Sequence, residues 1–176
     1  MRHQQYSNMG RELARRHQDI QHSDTKCRFL RILISTDPIQ KQLDLSDFYN
    51  SLRNTLDLPA DKAAMVLENY QADYDDNQGD AYYKFHHSSF IVLKLVEAGN
   101  YEARDQAIDE TERIGEELMA AYIEQLTEAG MYITPADVMQ EAVGPIAGQF
   151  VGCRFNYVFR SSARQALTYN SDKFLD

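Results

Sequence analysis

The clearest pattern of hydrophobic and polar positions lies in residues 81–126, where an extended segment leads directly into a helical one. Residues 83 to 95 alternate with the two-residue period of a β-strand. From residue 101 the period becomes helical, and one stripe carries Tyr101, Arg104, Ile108, Thr111, Gly115, Leu118, Tyr122 and Leu126. We expect Asn100 to cap the start of this helix and Gly130 to close its end.

Shorter patterns predict the remaining elements. Residues 1–24 contain a basic helix over 7–21, and residues 27–34 predict a strand. Residues 45–56 predict a second helix, with Ser46 as its N-cap and Pro59 barring its continuation. Residues 64–74 predict a strand that a hairpin through residues 75–80 joins to the strand starting at residue 81. Residues 150–160 alternate most cleanly, and a short strand is expected at 138–143.

Together these elements predict one domain over residues 1–176 with an α+β fold. We expect a mostly antiparallel sheet of about four strands, with two or three helices packed on one of its faces. The apolar surfaces that should meet in this core are Val151, Phe155, Tyr157 and Phe159 on the last strand and Ile108, Leu118 and Tyr122 on the long helix. Residues 161–176 lack periodicity, so we expect a C-terminal tail that is either mobile or docked on a neighbour.

Composition favours a soluble cytosolic protein. Of the 176 residues, 43% are hydrophobic and 26% are charged, which is the balance of a globular domain. The sequence contains no apolar run long enough to span a membrane, and its first residues lack the apolar core of a secretory signal. The two cysteines, Cys27 and Cys153, are therefore expected to be reduced core thiols.

Charge is distributed unevenly along the chain. The net charge of −9 argues against a nucleic-acid groove. Residues 1–31 hold seven basic and three acidic side chains, a balance of +4, whereas residues 101–128 hold nine acidic and two basic ones, a balance of −7. Two interpretations are open: solvated helix faces, or complementary surfaces that join copies or neighbouring proteins. The candidate contact residues are Arg11, Arg15, Arg16, Asp105, Asp109, Glu112 and Glu116, with Tyr74 and Tyr82 as aromatic candidates.

A metal-dependent hydrolase is the main enzymatic alternative. The acidic turn at residues 73–80 and the strand after it offer six ligand-type residues: Asp73, Asp75, Asp76, Asp80, His86 and His87. The turn is similar to a calcium loop, but Lys84 stands where such a loop needs a bidentate glutamate. His86 and His87 should point to opposite faces of a strand, with His87 half-buried and hydrogen-bonded on the apolar face. A polar hairpin tip explains the same residues, and we expect no metal or cofactor.

Motifs of covalent catalysis are missing from the sequence. It has no Gly-x-Ser-x-Gly, no glycine-rich phosphate loop and no Cys-x-x-Cys. Cys153 lies on the apolar side of its strand, where a thiol is inert. We therefore expect that the protein is not an enzyme.

The order of elements and several segments resemble the small neck and tail-completion proteins of tailed bacteriophages, of the tail-terminator type. The segments are residues 66–70 (Val-Leu-Glu-Asn-Tyr), the acidic turn at 75–80, the strand that leads into the acidic helix, residues 152–159 (Gly-Cys-Arg-Phe-Asn-Tyr-Val-Phe) and residues 169–174 (Tyr-Asn-Ser-Asp-Lys-Phe). The resemblance spans most of residues 9–174 and is one of pattern.

This resemblance implies a non-enzymatic structural protein of a phage or prophage, made in the bacterial cytoplasm and located in the virion at the head–tail junction. It implies self-association into a ring, commonly of six copies, that terminates the tail or joins it to the connector. The implied partners are a head-completion or connector protein and a tail-tube protein, with no sequence-specific nucleic acid and no membrane. A small cytosolic adaptor protein is a further alternative.

Overall fold

In the part of the chain that the structure describes, three helices and six strands form an α+β fold, as the sequence predicted. The structure, a computed structural model, describes residues 1–35, 37–76, 81–164 and 166–174, without the side chain of Asp76. The elements are α1 (His3–Arg16), β1 (Phe29–Ile32), α2 (Pro38–Thr55), β2 (Ala64–Glu68), β3 (Gln71–Asp76), β4 (Tyr82–Leu95), α3 (Tyr101–Glu128), β5 (Val138–Ile146) and β6 (Phe150–Ser162), with single 3-10 turns at Pro135–Asp137 and Ser171–Lys173.

The six strands form one mixed, mostly antiparallel sheet in the order β1-β2-β4-β6-β5, and β3 pairs with β4 beyond the end of β2. Only β1 and β2 run parallel. The sheet has more strands than the expected four, partly because the segment at 64–74 is interrupted. Leu67 pairs with Phe90 and Gln71 with His87, so three residues of this segment lie opposite two of β4. A bulge of this kind splits one long strand into β2 and β3.

The helices cover both faces of the sheet, which corrects the expectation of a single helical face. Helices α1 and α3 pack on one face, whereas Phe48 and Leu52 of α2 pack on Ile32, Val66 and Ile91 of the other. Parallel strands β1 and β2 need a connection that crosses the sheet, and α2 makes this crossing. Because the crossover occupies the face away from α1 and α3, the sheet lies between two helical layers.

The main core lies between the sheet and the layer of α1 and α3. The predicted contact of Phe155 and Tyr157 with Leu118 and Tyr122 is confirmed, and Phe159 belongs to the same cluster. Two members of the prediction lie outside this cluster: Val151, which is buried, and Ile108, which is half-buried.

Helix boundaries follow their capping residues. The prediction for α3 is confirmed, since the Asn100 side chain accepts a hydrogen bond from the Ala103 N–H at 3.0 Å and Gly130 adopts φ +74° after the helix. The prediction for α2 was wrong at its start. Asp37 accepts hydrogen bonds from two N–H groups of the first turn and Pro38 occupies the first helical position, so the helix begins well before Ser46. Helix α1 spans 3–16 rather than 7–21.

The expectation that His87 is half-buried on the apolar face is wrong, because its neighbour His86 lies in the core instead. His86, not His87, is fully buried, and it stacks on Phe159 at 4.4 Å and meets Tyr70 edge-on at 4.6 Å. The His87 side chain is 53% exposed and hydrogen-bonds to Asp73 at 3.0 Å. The two-residue period of the strand correctly predicted that the two histidines lie on opposite faces of the sheet. His87 lies on the face against which α2 packs, but α2 covers only part of that face and leaves His87 in solvent.

His86 should make stability depend on pH. Burial, aided by the charge of Lys84, lowers the pKa of His86 to about 3, whereas an unfolded histidine titrates near 6.5. Between these values the unfolded chain binds more protons, so stability should fall as pH falls, by at most about 1.4 kcal/mol per pH unit. Denaturant titrations between pH 7 and 4 should show a shallower pH dependence for His86→Phe than for the parent. His87→Ala, an exposed neighbour, should retain the parent slope; equal slopes for all three proteins contradict the prediction.

Candidate functional site

Among the described residues, the acidic turn proposed as a metal site does not bring three of its ligand-type side chains together. Asp73 is hydrogen-bonded to His87, and His86 points into the core on the other face. Residues 77–80, which include Asp80, lie outside the described residues. The two imidazoles therefore cannot share one ion with regular strand geometry.

This arrangement leads to a direct prediction for metals. Calcium, magnesium, manganese and zinc should each fail to bind this turn tightly, because Asp73 is engaged by His87 and position twelve of the loop is Lys84. Isothermal titration of the full chain should give no binding stronger than about millimolar, the range of weak extracellular calcium modules. Micromolar binding that Asp75→Ala abolishes would support the hydrolase alternative instead.

Another cluster of ligand-type side chains joins α1 to α3. His17, Asp19 and Glu117 offer ligand atoms within 4.8 Å of one another. However, Arg113 donates to Asp19 at 2.8 Å and to Glu117 at 2.7 Å. His17 Nδ1 accepts from the Asp19 N–H, so in the neutral ring Nε2 carries the proton and donates to Glu117. These hydrogen bonds to Arg113 lower the pKa of both carboxyl groups, and the cluster is an ion-pair network between helices.

Neither cysteine is placed for nucleophilic catalysis. Cys153 is buried in β6, and this burial raises the pKa of its thiol to about 11. Cys27 is half-buried just before β1, and both thiols are free. Two strands, β2 and β4, lie between β1 and β6 in the sheet, so Cys27 and Cys153 are not on neighbouring strands.

A cleft of about 710 Å³ separates the first half of α2 from the uncovered part of the sheet. Its floor is a charged network centred on Arg154, which donates to Glu68 at 2.8 Å, to Ser89 at 3.1 Å and to Asn156 at 2.9 Å. Lys41 and Leu45 of α2 line the opposite wall. Arg154 and Glu68 therefore form a salt bridge at the floor of this cleft.

A basic flank runs along the β1 edge of the sheet and consists of Arg11, Arg15 and Arg31. Arg11 lies over the ring of Phe29 at 5.8 Å, and Arg31 donates to the Asn69 side chain at 2.6 Å. Arg15 is already paired within the chain, with Glu12 and with Asp24. The unneutralised positive charge of this flank therefore comes from Arg11 and Arg31.

An acidic stripe runs along the opposite side of the helical layer and consists of Asp105, Asp109, Glu112 and Glu116. Their spacing of i, i+4, i+7 and i+11 places them on one face of α3. Glu112 accepts a hydrogen bond from Gln140 of β5, so the stripe lies over the β5 side of the sheet. The other three acids are exposed, and no ion pair engages them among the described residues.

The basic flank and the acidic stripe therefore lie at opposite edges of the same face. Strands β1 and β5 are the two ends of a five-strand order, which puts them about 19 Å apart at a spacing of about 4.8 Å per strand. The basic and acidic segments are visible in the sequence, but their location at opposite edges of the sheet is not, because it depends on the order of the strands.

The remaining predicted contact residues lie elsewhere. Arg16 is exposed but is rotated by about 100° around α1 from Arg15, so it does not share the flank. Tyr74 and Tyr82 are 50% and 43% exposed at the end of the β3–β4 hairpin, away from both edges. Arg31 belongs to the flank, although sequence reasoning did not single it out. Its only sequence signal was a charged residue within a short apolar strand.

No helix in the described part of the chain is long and apolar enough to cross a membrane. No model of a known protein family matches this chain, and no curated protein matches it significantly.

Proposed function

We propose that this protein is a non-enzymatic structural protein of a tailed phage or prophage, forming a ring at the head–tail junction that ends the tail or joins it to the connector. The head–tail assignment is supported by the resemblance of residues 66–70 and 152–159 to tail-terminator proteins. The ring is supported by one observation above all: basic and acidic surfaces lie at opposite edges of one face of the sheet.

Opposite charges at opposite edges favour a head-to-tail contact between identical copies. The acidic stripe of one copy can meet the basic flank of the next, which leaves the basic flank of the first copy and the acidic stripe of the second free to bind further copies. A heterologous contact of this kind closes into a ring when the rotation per copy divides a full turn. Six copies, the number implied by the resemblance, require a rotation of about 60°.

The arrangement of the polar residues also favours a structural role. The His17, Asp19 and Glu117 cluster and the Arg154 floor are both occupied by internal ion pairs. The partners of such a ring are further copies of itself, a head-completion or connector protein and a tail-tube protein. Its place is the virion, after synthesis in the bacterial cytoplasm. The net charge of −9 disfavours nucleic acid as a partner of its surface.

Charge exchange between two variants tests the ring. One variant carries Arg11→Glu and Arg31→Glu, and the other carries Asp105→Lys, Asp109→Lys and Glu116→Lys, which makes the stripe basic. Each alone should fail to assemble, because like charges then meet at every contact. An equimolar mixture should assemble into even-numbered rings of alternating variants, with salt weakening both these rings and the parent rings. Native mass spectrometry and negative-stain microscopy measure the outcome, on the tail-tube partner if the free chain stays monomeric.

Arg16→Glu is the control for position, since it reverses a single charge on a different face of α1 and should leave assembly intact. In particle complementation, either charge-reversed variant alone should yield unjoined heads and tails, and the two together should restore joined particles. Normal infectious particles from either variant alone would contradict the proposal.

A further inference from the structure

The outer edge of β5 presents alternate backbone groups to solvent. Tyr132 and Arg160 exchange both backbone hydrogen bonds, each at 2.9 Å, so the Arg160 groups point toward the β5 side of β6. Strand β6 pairs with β4 in one unbroken register along its whole length, and its backbone groups therefore alternate without interruption. On β5 the residues bonded to β6 are Met139 and Glu141, opposite Asn156 and Arg154. The backbone groups of Gln140 and Ala142 consequently face outward, whereas the Val138 N–H donates to the Pro135 carbonyl of the preceding turn.

The outer edge of β1 has the matching property. The carbonyl groups of Arg28 and Ile32 accept hydrogen bonds from N–H groups at both ends of β2, at 2.9 and 3.0 Å. By alternation, the backbone groups of Phe29 and Arg31 point away from β2. Strand β1 ends the sheet on this side, so the backbone groups of Arg31 form an outer edge beside Arg11 of the basic flank, while the Phe29 carbonyl accepts from the Cys27 thiol at 3.6 Å.

Strand directions make the two edges compatible. Strand β1 is parallel to β2, and each later step, from β2 to β4, to β6 and to β5, is antiparallel. Three reversals leave β5 antiparallel to β1. A neighbouring copy that continues the sheet in the same orientation therefore sets its β1 antiparallel to β5, which is the slightly more stable mode of pairing.

Charge selects this pairing over the two symmetric ones. Antiparallel pairing of β5 with a second β5 requires a two-fold axis perpendicular to the sheet, which keeps α3 of both copies on the same face and brings acidic stripes together. Pairing of β1 with a second β1 brings Arg11 and Arg31 of both copies together in the same way. Both arrangements place like charges side by side, which costs association energy, whereas β5 beside β1 puts the acidic stripe next to the basic flank.

We propose that the sheet continues from copy to copy through antiparallel pairing of the outer edge of β5 with the outer edge of β1 of the next copy. This inference rests on the proposed ring and names its contact. Pairing is confined to 138–143 of β5, because a register shift interrupts the strand between Val143 and Ile146 and Pro145 has no N–H to donate.

Proline substitution at β5 provides the test in the full chain. Ala142→Pro removes an outward N–H group and no bond to β6, so the monomer should keep nearly its parent denaturation midpoint while association weakens roughly tenfold or more. Ala142→Ser, which keeps the N–H, should associate like the parent. Glu141→Pro removes an inward bond and should lower the denaturation midpoint clearly, which verifies the assigned alternation. Parent-like association of a folded Ala142→Pro chain would overturn the proposed pairing.

Amide hydrogen exchange of the unmodified chain gives a second readout that does not depend on folding of a variant. The amides of Gln140, Ala142 and Arg31 should exchange at least roughly tenfold more slowly in the assembled protein than in the monomer, because they become hydrogen-bonded. Unchanged exchange in the ring overturns the strand pairing while leaving the charge-driven ring in place. If the charge-exchanged mixture fails to assemble, the ring itself is wrong, whatever the proline variants do.

Discussion

Gly152→Ala should be the most destabilising glycine-to-alanine change among the described glycines. Gly152 lies in β6 opposite Leu93, and a Cβ atom there would stand 1.8 Å from the Val92 carbonyl oxygen and 2.9 Å from its carbonyl carbon. The obstacle is the backbone of the neighbouring central strand, so no side-chain rotation can relieve it and β4 or β6 must shift. Overpacking typically costs about 1–3 kcal/mol, and we expect a loss at or above the top of that range.

Guanidinium denaturation of the parent and the variant measures this loss as a lower midpoint. Ala142→Val is the matched control, because it adds two methyl groups at an exposed position of the adjacent strand, opposite Cys153. A surface change of this kind should stay within about 0.5 kcal/mol of the parent. A Gly152→Ala midpoint equal to that of the control would show that the close approach of β4 and β6 is not needed for folding.

Phe155→Ala should cost roughly 3–5 kcal/mol, the range for deleting a buried phenylalanine side chain. The ring is 2% exposed, stacks on Phe90 at 5.1 Å and lies under α3. Its fit against the helix is close, because a Cβ on Gly115 would stand 2.0 Å from the ring. The same denaturation experiment measures the loss, and an unchanged midpoint would show that this face is not part of the core.

A double-mutant cycle with Gly115→Ala isolates the contact between α3 and the ring. Gly115→Ala alone should destabilise the protein, since its methyl group meets the Phe155 ring. In the Phe155→Ala background the same methyl group enters the cavity left by the ring, so the double variant should lose less stability than the two single losses added together. Additive losses would mean that the helix moves to accommodate either change independently.

Local periodicity was sufficient to predict the elements that pack through one continuous face. Strand β6 alternates between buried and half-buried side chains from Cys153 to Arg160, because its inward residues Cys153, Phe155, Tyr157 and Phe159 meet the same helical layer. Helix α3 carries its own capping signals at Asn100 and Gly130, and these depend only on neighbouring backbone groups. Helix α2 was predicted too short because its first half buries no residue, and an exposed helical turn has no apolar stripe to recognise.

The sequence by itself determined the α+β class, the hairpin between β3 and β4, the main core partners of Phe155 and the presence of one basic and one acidic segment. Each of these follows from spacing within a short window or from composition. Only the tertiary structure decided which histidine is buried, on which face α2 packs, and that Arg11 and the acidic stripe lie at opposite sheet edges. The physical reason is that burial and strand order depend on contacts between segments that are distant in the sequence. Helix α2 covers Ile91 but does not reach His87, which lies on the same face of the same strand. The pattern of residues around His87 therefore cannot predict that this side chain is exposed.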